Sequence, residues 1–356
     1  MEMRLTRGAR LALLCLAYLL LVLFAGLRWE TGNDWPNYYN YYQHLTSLQD
    51  QAGEFDIGYR IISLAIKSLG LPYTGFLLLY AFAYIGLIFL SFLDAGIEMT
   101  GWLTLAFYST YLLGMMGTSR QAMAMAICLF SLRYVLAGKF RKFVLCIIIA
   151  AAFHLSALCF LLAWILGKIH FKMKYVWIAL VGMAFAIHGA GTTLLESVSS
   201  VGRYVDFTEK VAALNADTYT NQVASVDGNP AMHLYVKQAI FLVFFLFGAR
   251  YLKTDREKLY FKLYLVSPTI VVILYSVSPI IASRLSDYFS IFDIFIFALF
   301  TRRITPRAIR QAYCAMLILL FLHGIWAGVN SAAPMIYSPY KGVFINQDVR
   351  RDPGWF

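Results

Sequence analysis

The sequence predicts an all-α protein that crosses a membrane many times. Of its 356 residues, 60% are hydrophobic and only 14% are charged, whereas a soluble domain carries about a quarter charged residues. Apolar runs of about 20 residues, the length that crosses a hydrocarbon core, recur along the chain. No polar tract is long enough for a separate soluble domain. We therefore expect one integral membrane domain over 1–356.

About nine segments are predicted to be full spans. They are 9–27, 73–93, 100–117, 120–137, 175–195, 234–252, 259–281, 284–300 and 312–330. Residues 57–70 also have an apolar helical pattern, but Arg60 and Lys67 interrupt it. That composition favours a helix lying at the membrane interface over one that crosses.

The basic loops predict the orientation, because Lys and Arg concentrate in cytoplasmic loops. The loops expected inside, with the N-terminus, are "KFRK" (139–142), "KIHFKMK" (168–174), "KTDREK" (253–258) and "TRRITPRAIR" (301–310). The short acidic loop "DAGIE" (94–98) then also lies inside. The segments expected outside are the loops 28–72 and 196–233 and the tail 331–356.

The apolar stretch 143–167 lies between two basic loops, so a single crossing would place one of them outside and invert all later loops. We predict that this stretch enters from the cytoplasm, breaks near Phe153–His154–Leu155–Ser156 and returns. A re-entrant helix pair of this kind keeps every basic loop inside. One long crossing helix with a hydrogen-bonded His154 is the alternative.

Two arginines are predicted to begin spans on the external side. In "GTSRQAM", Arg120 follows Thr118 or Ser119 as N-cap, and in "ASRLSDYF", Arg284 follows Ser283. A helix N-terminus favours an anion, so an arginine there indicates a phosphate or carboxylate ligand that meets both. An arginine that extends to the lipid headgroups is the alternative for each.

Other polar residues near these starts are candidates for supporting roles. Asp287 lies three residues after Arg284 on the same helical face, so an ion pair would hold the guanidinium. Tyr288 is a candidate for the aromatic belt at the lipid interface. His154, at the predicted break, would contact the substrate or be a hydrogen-bonded core histidine.

The stretch "GNDWPNYYNYYQH" (32–44) joins the first span to the interfacial helix. Asp34 ahead of a proline in the first turn is a typical helix start. Trp35, Tyr38 and Tyr39 belong to a dense aromatic group. The group is either an aromatic belt at the lipid interface or a wall on which sugar rings stack, with one carboxylate in it.

Five segments in order resemble the EpsG-like family of Wzy-type polysaccharide polymerases. They are "ETGNDWPNYYNYY", "EFDIGYRIISLAIKSLG", "SRQAMAMAICLFSLRYVLAGKFRKFVLCIIIAAAFHLSAL", "RLSDYF" and "SPYKGVF". The strongest element is the block 120–156. The resemblance implies a multi-pass enzyme of the bacterial inner membrane, similar in fold to C-type glycosyltransferases, with its site on the periplasmic or outer face. This agrees with the orientation expected from the basic loops, which places the N-terminus in the cytoplasm and the C-terminus outside.

The resemblance implies that the protein joins undecaprenyl-pyrophosphate-linked oligosaccharide repeat units into an O-antigen or exopolysaccharide. In such an inverting transfer, Arg120, Arg284 and Arg60 would neutralise the pyrophosphate leaving group. Asp34 or His154 would take the acceptor proton, while Trp35, Tyr38 and Tyr39 would bind sugar. The sequence has no obvious carboxylate pair for a divalent metal. We therefore expect a metal-independent site with no cofactor.

The expected partners are the lipid-linked oligosaccharide, membrane lipid and a chain-length regulator protein. The net charge of +11 follows the loops, so it indicates anionic lipid and not nucleic acid. Two other functions stay open. A transporter of lipid-linked oligosaccharide usually shows repeated halves, and none is evident here. A membrane O-acyltransferase that modifies the glycan would use His154 as its base.

Cysteine accessibility tests the re-entrant pair. A single cysteine placed in 168–174 of an otherwise cysteine-free variant should resist an impermeant thiol reagent applied to intact cells, because that loop is cytoplasmic. It should react after the membrane is permeabilised. Labelling of this loop in intact cells would instead support one crossing helix.

Overall fold

The computed structural model describes residues 6–32, 34–50, 54–169, 251–274, 279–330 and 337–350. Over these ranges the regular elements are helices, apart from two isolated β-bridges that Gly342 makes with Arg28 and Ile345. The predicted spans 175–195 and 234–252 and the predicted loop 196–233 lie outside the described residues.

The α-helices of the described ranges are α1 (Arg7–Gly26), α2 (Trp35–His44), α3 (Ile57–Ser68), α4 (Tyr73–Ala95), α5 (Thr100–Phe107), α6 (Leu113–Gly117), α7 (Ser119–Leu136), α8 (Phe140–Phe153), α9 (Leu162–Lys168), α10 (Asp255–Leu274), α11 (Pro279–Ser290), α12 (Phe292–Arg303) and α13 (Arg307–Asn330). Helices α1, α4 and α13 are long and apolar enough to cross a membrane. The all-α membrane class is confirmed, while the count of nine spans stays a prediction. With 12 residues, α3 is about 18 Å long and too short to cross.

Two predicted spans are interrupted. A π-helical segment, Tyr108–Leu112, separates α5 from α6, and the predicted span 284–300 is divided between α11 and α12. The prediction that Ser283 caps a helix is wrong, because α11 already includes Pro279. Proline suits the first turn of a helix. Arg284 therefore lies inside the helix and not in its first turn.

The chain divides into two compact units, one formed by 1–161 and 297–356 and the other by 162–296. In the second unit, α10 packs against α9 and α11. The Lys262 ammonium donates to the carbonyl oxygens of Leu166 (2.9 Å) and Ile169 (2.5 Å). It thereby satisfies backbone acceptors at the C-terminal end of α9.

In the first unit, α1 and α4 pack antiparallel. The Tyr18 hydroxyl donates to the Phe82 carbonyl at 2.9 Å, and a Cβ added at Gly26 would lie 2.7 Å from the Leu78 Cα. Helix α7 runs parallel to α4. Tyr80 in the first half of α4 contacts Ser119 at the start of α7, and Asp94 at the end of α4 pairs with Arg133 near the end of α7. The first unit therefore has one end marked by Ser119 at the start of α7 and an opposite end marked by Arg133 near the end of α7.

The acidic loop 94–98 lies at one end of the first unit and pairs with arginines. Asp94 forms an ion pair with Arg133 at 3.0 Å, and Glu98 forms one with Arg302 at 3.4 Å. These contacts bring the loop to segments that continue into the basic loops 139–142 and 301–310. This charge pairing explains why an acidic loop occurs on the side where the basic loops are expected.

The stretch 143–167 is interrupted at the predicted position. Helix α8 ends at Phe153, and His154 is extended, with φ −162° and ψ 118°. The following 3₁₀ segment, Leu155–Leu161, packs against α7 and α8. Cys128 on α7 lies close to both Cys146 on α8 and Cys159 in this segment. The chain therefore reverses at His154, and an unbroken helix over 143–167 is excluded.

Gly58 tests how α3 is seated on α8. A Cβ at this position would lie 2.8 Å from the Ala152 carbonyl oxygen and 3.2 Å from the Phe153 ring. Gly58→Ala should lower the midpoint of thermal unfolding in detergent, since overpacking costs about 1–3 kcal/mol. Gly101→Ala is the matched control, because open space surrounds that helical glycine. There the alanine should leave the midpoint unchanged or raise it, and an unchanged midpoint for Gly58→Ala would contradict the packing.

Candidate functional site

Arg120 is the centre of a site at the end of the first unit opposite the acidic loop. Its Nη1 donates to Asp56 Oδ2 at 2.7 Å and to the Glu54 carbonyl at 2.9 Å, and its Nε donates to the Tyr38 hydroxyl at 3.3 Å. The guanidinium carbon lies 5.1 Å from the centre of the Phe55 ring. About a quarter of the Arg120 side chain, 26%, is exposed. We call these five residues the Arg120 site.

Asp56 is a site residue that the sequence analysis missed. It occupies the N-cap position of α3 but makes no capping hydrogen bond, so its carboxylate is directed to Arg120. Burial raises the pKa of this carboxyl, and the Arg120 guanidinium opposes that rise. The group therefore holds a proton more readily than an exposed aspartate. Only the tertiary contact distinguishes it from an ordinary helix cap.

A second arginine, Arg28, lies beside the start of α7. It is only 3% exposed. Its Nη1 donates to the Ala25 carbonyl at 2.6 Å and its Nη2 to the Ser119 hydroxyl at 3.2 Å. The sequence analysis missed Arg28 because an arginine directly after an apolar span is typical of a membrane boundary. Its burial depends on the loop that follows.

The fold of that loop brings Arg28 to α7. Gly32 has φ +105°, a backbone conformation that favours glycine. A Cβ there would lie 3.1 Å from both the Gly117 Cα and the Met116 carbonyl oxygen. The loop after α1 therefore lies directly against the residues that precede Ser119.

The C-terminal segment 337–350 packs on the same loop. The Lys341 carbonyl accepts from the Trp29 amide at 2.9 Å, and the Val343 amide donates to the Leu27 carbonyl at 2.9 Å. The Tyr340 hydroxyl donates to the Phe24 carbonyl, also in this region, at 2.7 Å. The loop 28–72 and the tail were both expected outside, and the structure brings them into contact.

The aromatic group of α2 is an internal cluster. Trp35 and Tyr38 are 4% and 3% exposed, and Trp35 stacks on Tyr39 with ring centres 4.9 Å apart. Neither a lipid-facing belt nor an open sugar wall describes these two buried rings. Tyr39 is partly buried and keeps some exposed surface. The cause is tertiary: α2 packs against α4, and the Lys67 ammonium donates to two carbonyls in the last turn of α2.

Two predicted capping side chains do not cap. Asp34 is at the N-cap position of α2 and Thr118 at that of α7, but neither side chain makes the capping hydrogen bond. The Thr118 hydroxyl instead donates to the Gly114 carbonyl at 3.2 Å. Asp34 acts electrostatically on Tyr38 and Tyr337. The Asp34 charge therefore affects the Arg120 site through Tyr38.

Tyr337, in the C-terminal segment, is affected by the charges of both Arg28 and Asp34. Burial raises its pKa to about 12; the Arg28 charge opposes this rise, and the Asp34 charge adds to it. Arg28 and Asp34, both in the loop between α1 and α2, therefore act on a phenol of the C-terminal segment.

His154 lies at the same end of the unit. The Phe153 ring centre is 6.4 Å from that of Tyr80, and the Tyr80 hydroxyl donates to the Ser119 carbonyl at 3.1 Å. The Nδ1 of His154 is 2.5 Å from the Ser156 hydroxyl. Its neighbour Phe153 is thus linked through Tyr80 to the residue directly before Arg120.

Arg60 and Arg284 are held differently. The Nη1 of Arg60 donates to the Leu48 carbonyl, so this side chain holds the segment ahead of the Arg120 site. Its charge lowers the proton affinity of Asp56. Arg284 belongs to the second unit, where it is exposed on α11, three residues before Asp287. Tyr288 is 2% exposed, so the prediction of a lipid-interface tyrosine is wrong.

The long apolar helices, with a cationic and aromatic site at one end of them, define a membrane protein. The model of the EpsG family matches residues 11–341, nearly the whole chain, and the protein belongs to this family. EpsG is a family of Wzy-like polysaccharide polymerases, so the resemblance noted from the sequence is confirmed. No curated protein and no solved structure matches the chain. Membership indicates a polymerase type of function and implies a lipid-linked oligosaccharide substrate.

Proposed function

We propose that the protein is an inner-membrane glycosyltransferase that polymerises undecaprenyl-pyrophosphate-linked repeat units at the periplasmic or outer face. The observation that carries this proposal is the position of Arg120 in the first turn of α7. Backbone N–H groups at a helix N-terminus and a guanidinium both favour a phosphate. Arg120 donates hydrogen bonds to other described residues through Nη1 and Nε only. Its Nη2 is therefore available to a ligand.

In this transfer, the acceptor hydroxyl oxygen attacks the anomeric carbon of the growing glycan. A new glycosidic C–O bond forms while the C–O bond to the pyrophosphate breaks, and the configuration at this carbon inverts. The acceptor proton moves to a base, and undecaprenyl pyrophosphate leaves with the bonding electron pair. Arg120 stabilises the charge that develops on the leaving oxygen.

The other predicted site residues have supporting roles in this proposal. Arg284 stays a predicted cation for the pyrophosphate, with Asp287 as the residue predicted to position it. Arg60 acts by holding the segment that leads to Glu54. Tyr39 provides the sugar contact, and Trp35 supports it by stacking on its ring. Tyr38 positions Arg120 through the 3.3 Å hydrogen bond.

Lipid-linked glycans of a deletion strain test the function. The strain should accumulate single lipid-linked repeat units, and the wild-type gene should restore polymer. Arg120→Ala and Arg284→Ala should each abolish polymer while the protein still accumulates, because one such donor is worth roughly 3–4 kcal/mol. Arg→Lys should rescue in part, since lysine lacks the bidentate contact.

Arg133→Ala is the matched control. Arg133 is paired with Asp94 at the opposite end of α7, and its loss should leave polymerisation intact. Normal polymer from Arg120→Ala would remove that residue from the site. In the deletion strain, repeat units trapped on the cytoplasmic side would indicate a transporter. Full-length glycan that lacks acyl groups would indicate an acyltransferase.

Three residues are candidates for the base: Asp34, Asp56 and His154. Each is replaced by a near-isostere that cannot take the proton: Asp34→Asn, Asp56→Asn and His154→Gln. Loss of the base should slow polymerisation about 10²-fold or more and abolish the acidic limb of the pH–rate profile. Asp34→Asn should preserve α2, because the carboxylate makes no capping bond. If all three variants keep the wild-type rate and profile, none of these residues is the base.

A further inference from the structure

Arg28 has a property that its structural contacts do not explain. It is 3% exposed, and it makes no ion pair with any carboxylate in the described part of the chain. Its Nε is buried without a hydrogen-bond partner there. An unpaired buried charge is costly. A buried cation of this kind therefore indicates an anion that binds beside it.

Capping of α1 accounts for part of the Arg28 environment. Its Nη1 donates to the Ala25 carbonyl in the last turn of α1, where the helix dipole is negative. A helix end is equivalent to only about half an elementary charge. The Ser119 hydroxyl, which accepts from Nη2, carries no net charge. About half of the guanidinium charge and three of its five N–H groups thus have no direct partner in the described residues.

The groups around Arg28 have hydrogen-bond donors to spare. The hydroxyls of Tyr59, Tyr73 and Tyr84 are buried with no partner in the described residues. The rings of Tyr59 and Tyr84 lie 5.8 and 6.3 Å from that of Tyr80, whose hydroxyl donates to the Ser119 carbonyl. The Tyr73 ring lies 5.7 Å from that of Trp35, which in turn contacts Trp29, the neighbour of Arg28. Phenylalanine would fill the same volume without the cost of burying an unsatisfied hydroxyl. An anion with several acceptor oxygens supplies what this group of donors lacks.

We infer that Arg28 and Arg120 bind the two phosphate groups of one diphosphate, with Ser119 between them. Arg28 contacts Ser119 directly, and Arg120 is the next residue, in the first turn of α7. Arg120 takes one phosphate through its open Nη2. Arg28 takes the other phosphate, and the hydroxyls of Tyr59 and Tyr73 donate to it. The inference rests on the proposed function and deepens it, because it makes the site selective for a diphosphate over a monophosphate.

Binding of farnesyl diphosphate and farnesyl monophosphate to the purified protein in nanodiscs tests this inference. The wild type should bind the diphosphate about tenfold or more tightly than the monophosphate, given the strength of one charge-assisted contact. Arg28→Gln should remove that preference and leave monophosphate binding unchanged. Arg120→Gln should weaken binding of both probes. Arg133→Gln, the control at the other end of α7, should alter neither.

Tyr59→Phe and Tyr73→Phe keep the test decisive if Arg28→Gln fails to fold. Each removes only a hydroxyl that has no partner in the described residues, so a purely structural role predicts unchanged binding and equal or greater stability. The inference predicts about three- to tenfold weaker diphosphate binding with monophosphate binding unchanged. An unaltered diphosphate preference in these variants would overturn it. If the wild type binds neither probe, the proposed function fails too, because it requires a lipid pyrophosphate as the glycan donor. If the wild type binds both probes equally, only the inference that the two arginines bind one diphosphate fails.

Discussion

Ser119 is the point on which the arrangement of the first unit depends. Its carbonyl accepts from Tyr80 of α4 and its hydroxyl from Arg28, which follows α1. These two hydrogen bonds connect α1 and α4 to the N-terminus of α7. Because Arg120 is the next residue, its direction is determined where three helices meet, and not by a flexible loop. Such a rigid support is what an electrostatic site requires, since stabilisation of charge depends on donors that are already in place.

The buried tyrosines extend this constraint away from the cations. A core formed by phenylalanine would have the same shape, and the hydroxyls add polar groups that packing alone does not need. Tyr38 holds Arg120, while Tyr42 donates to the Leu71 carbonyl at 2.9 Å and helps fix the start of α4. Burial raises the pKa of Tyr59 well above its usual value, so this phenol stays a neutral donor. The cluster therefore combines a packed core with a supply of hydrogen-bond donors beside positive charge.

The sequence predicts features of this protein that are local in the chain. Apolar length predicted α1, α4 and α13, and the balance of basic loops predicted the reversal at His154. The charges on 57–70 predicted a helix that does not cross the membrane, and α3 is too short to cross. The position of Arg120 at the start of α7 was also predicted. Partners distant in sequence could not be predicted this way. Asp56 and Arg120 are 64 residues apart, and a one-turn error at Pro279 was enough to misplace Arg284 within its helix.

The contact between the loop after α1 and the segment 337–345 has a consequence for biosynthesis. The first helix and Arg28 leave the ribosome early, whereas Tyr340, Lys341 and Val343, which hold that loop, are among the last described residues to be made. The surroundings of Arg28 are therefore incomplete while most of the chain is being inserted into the membrane. A nascent or prematurely terminated chain would lack the contacts of Tyr340, Lys341 and Val343 with this loop. Such a chain would lack the backbone hydrogen bonds that hold the loop containing Arg28.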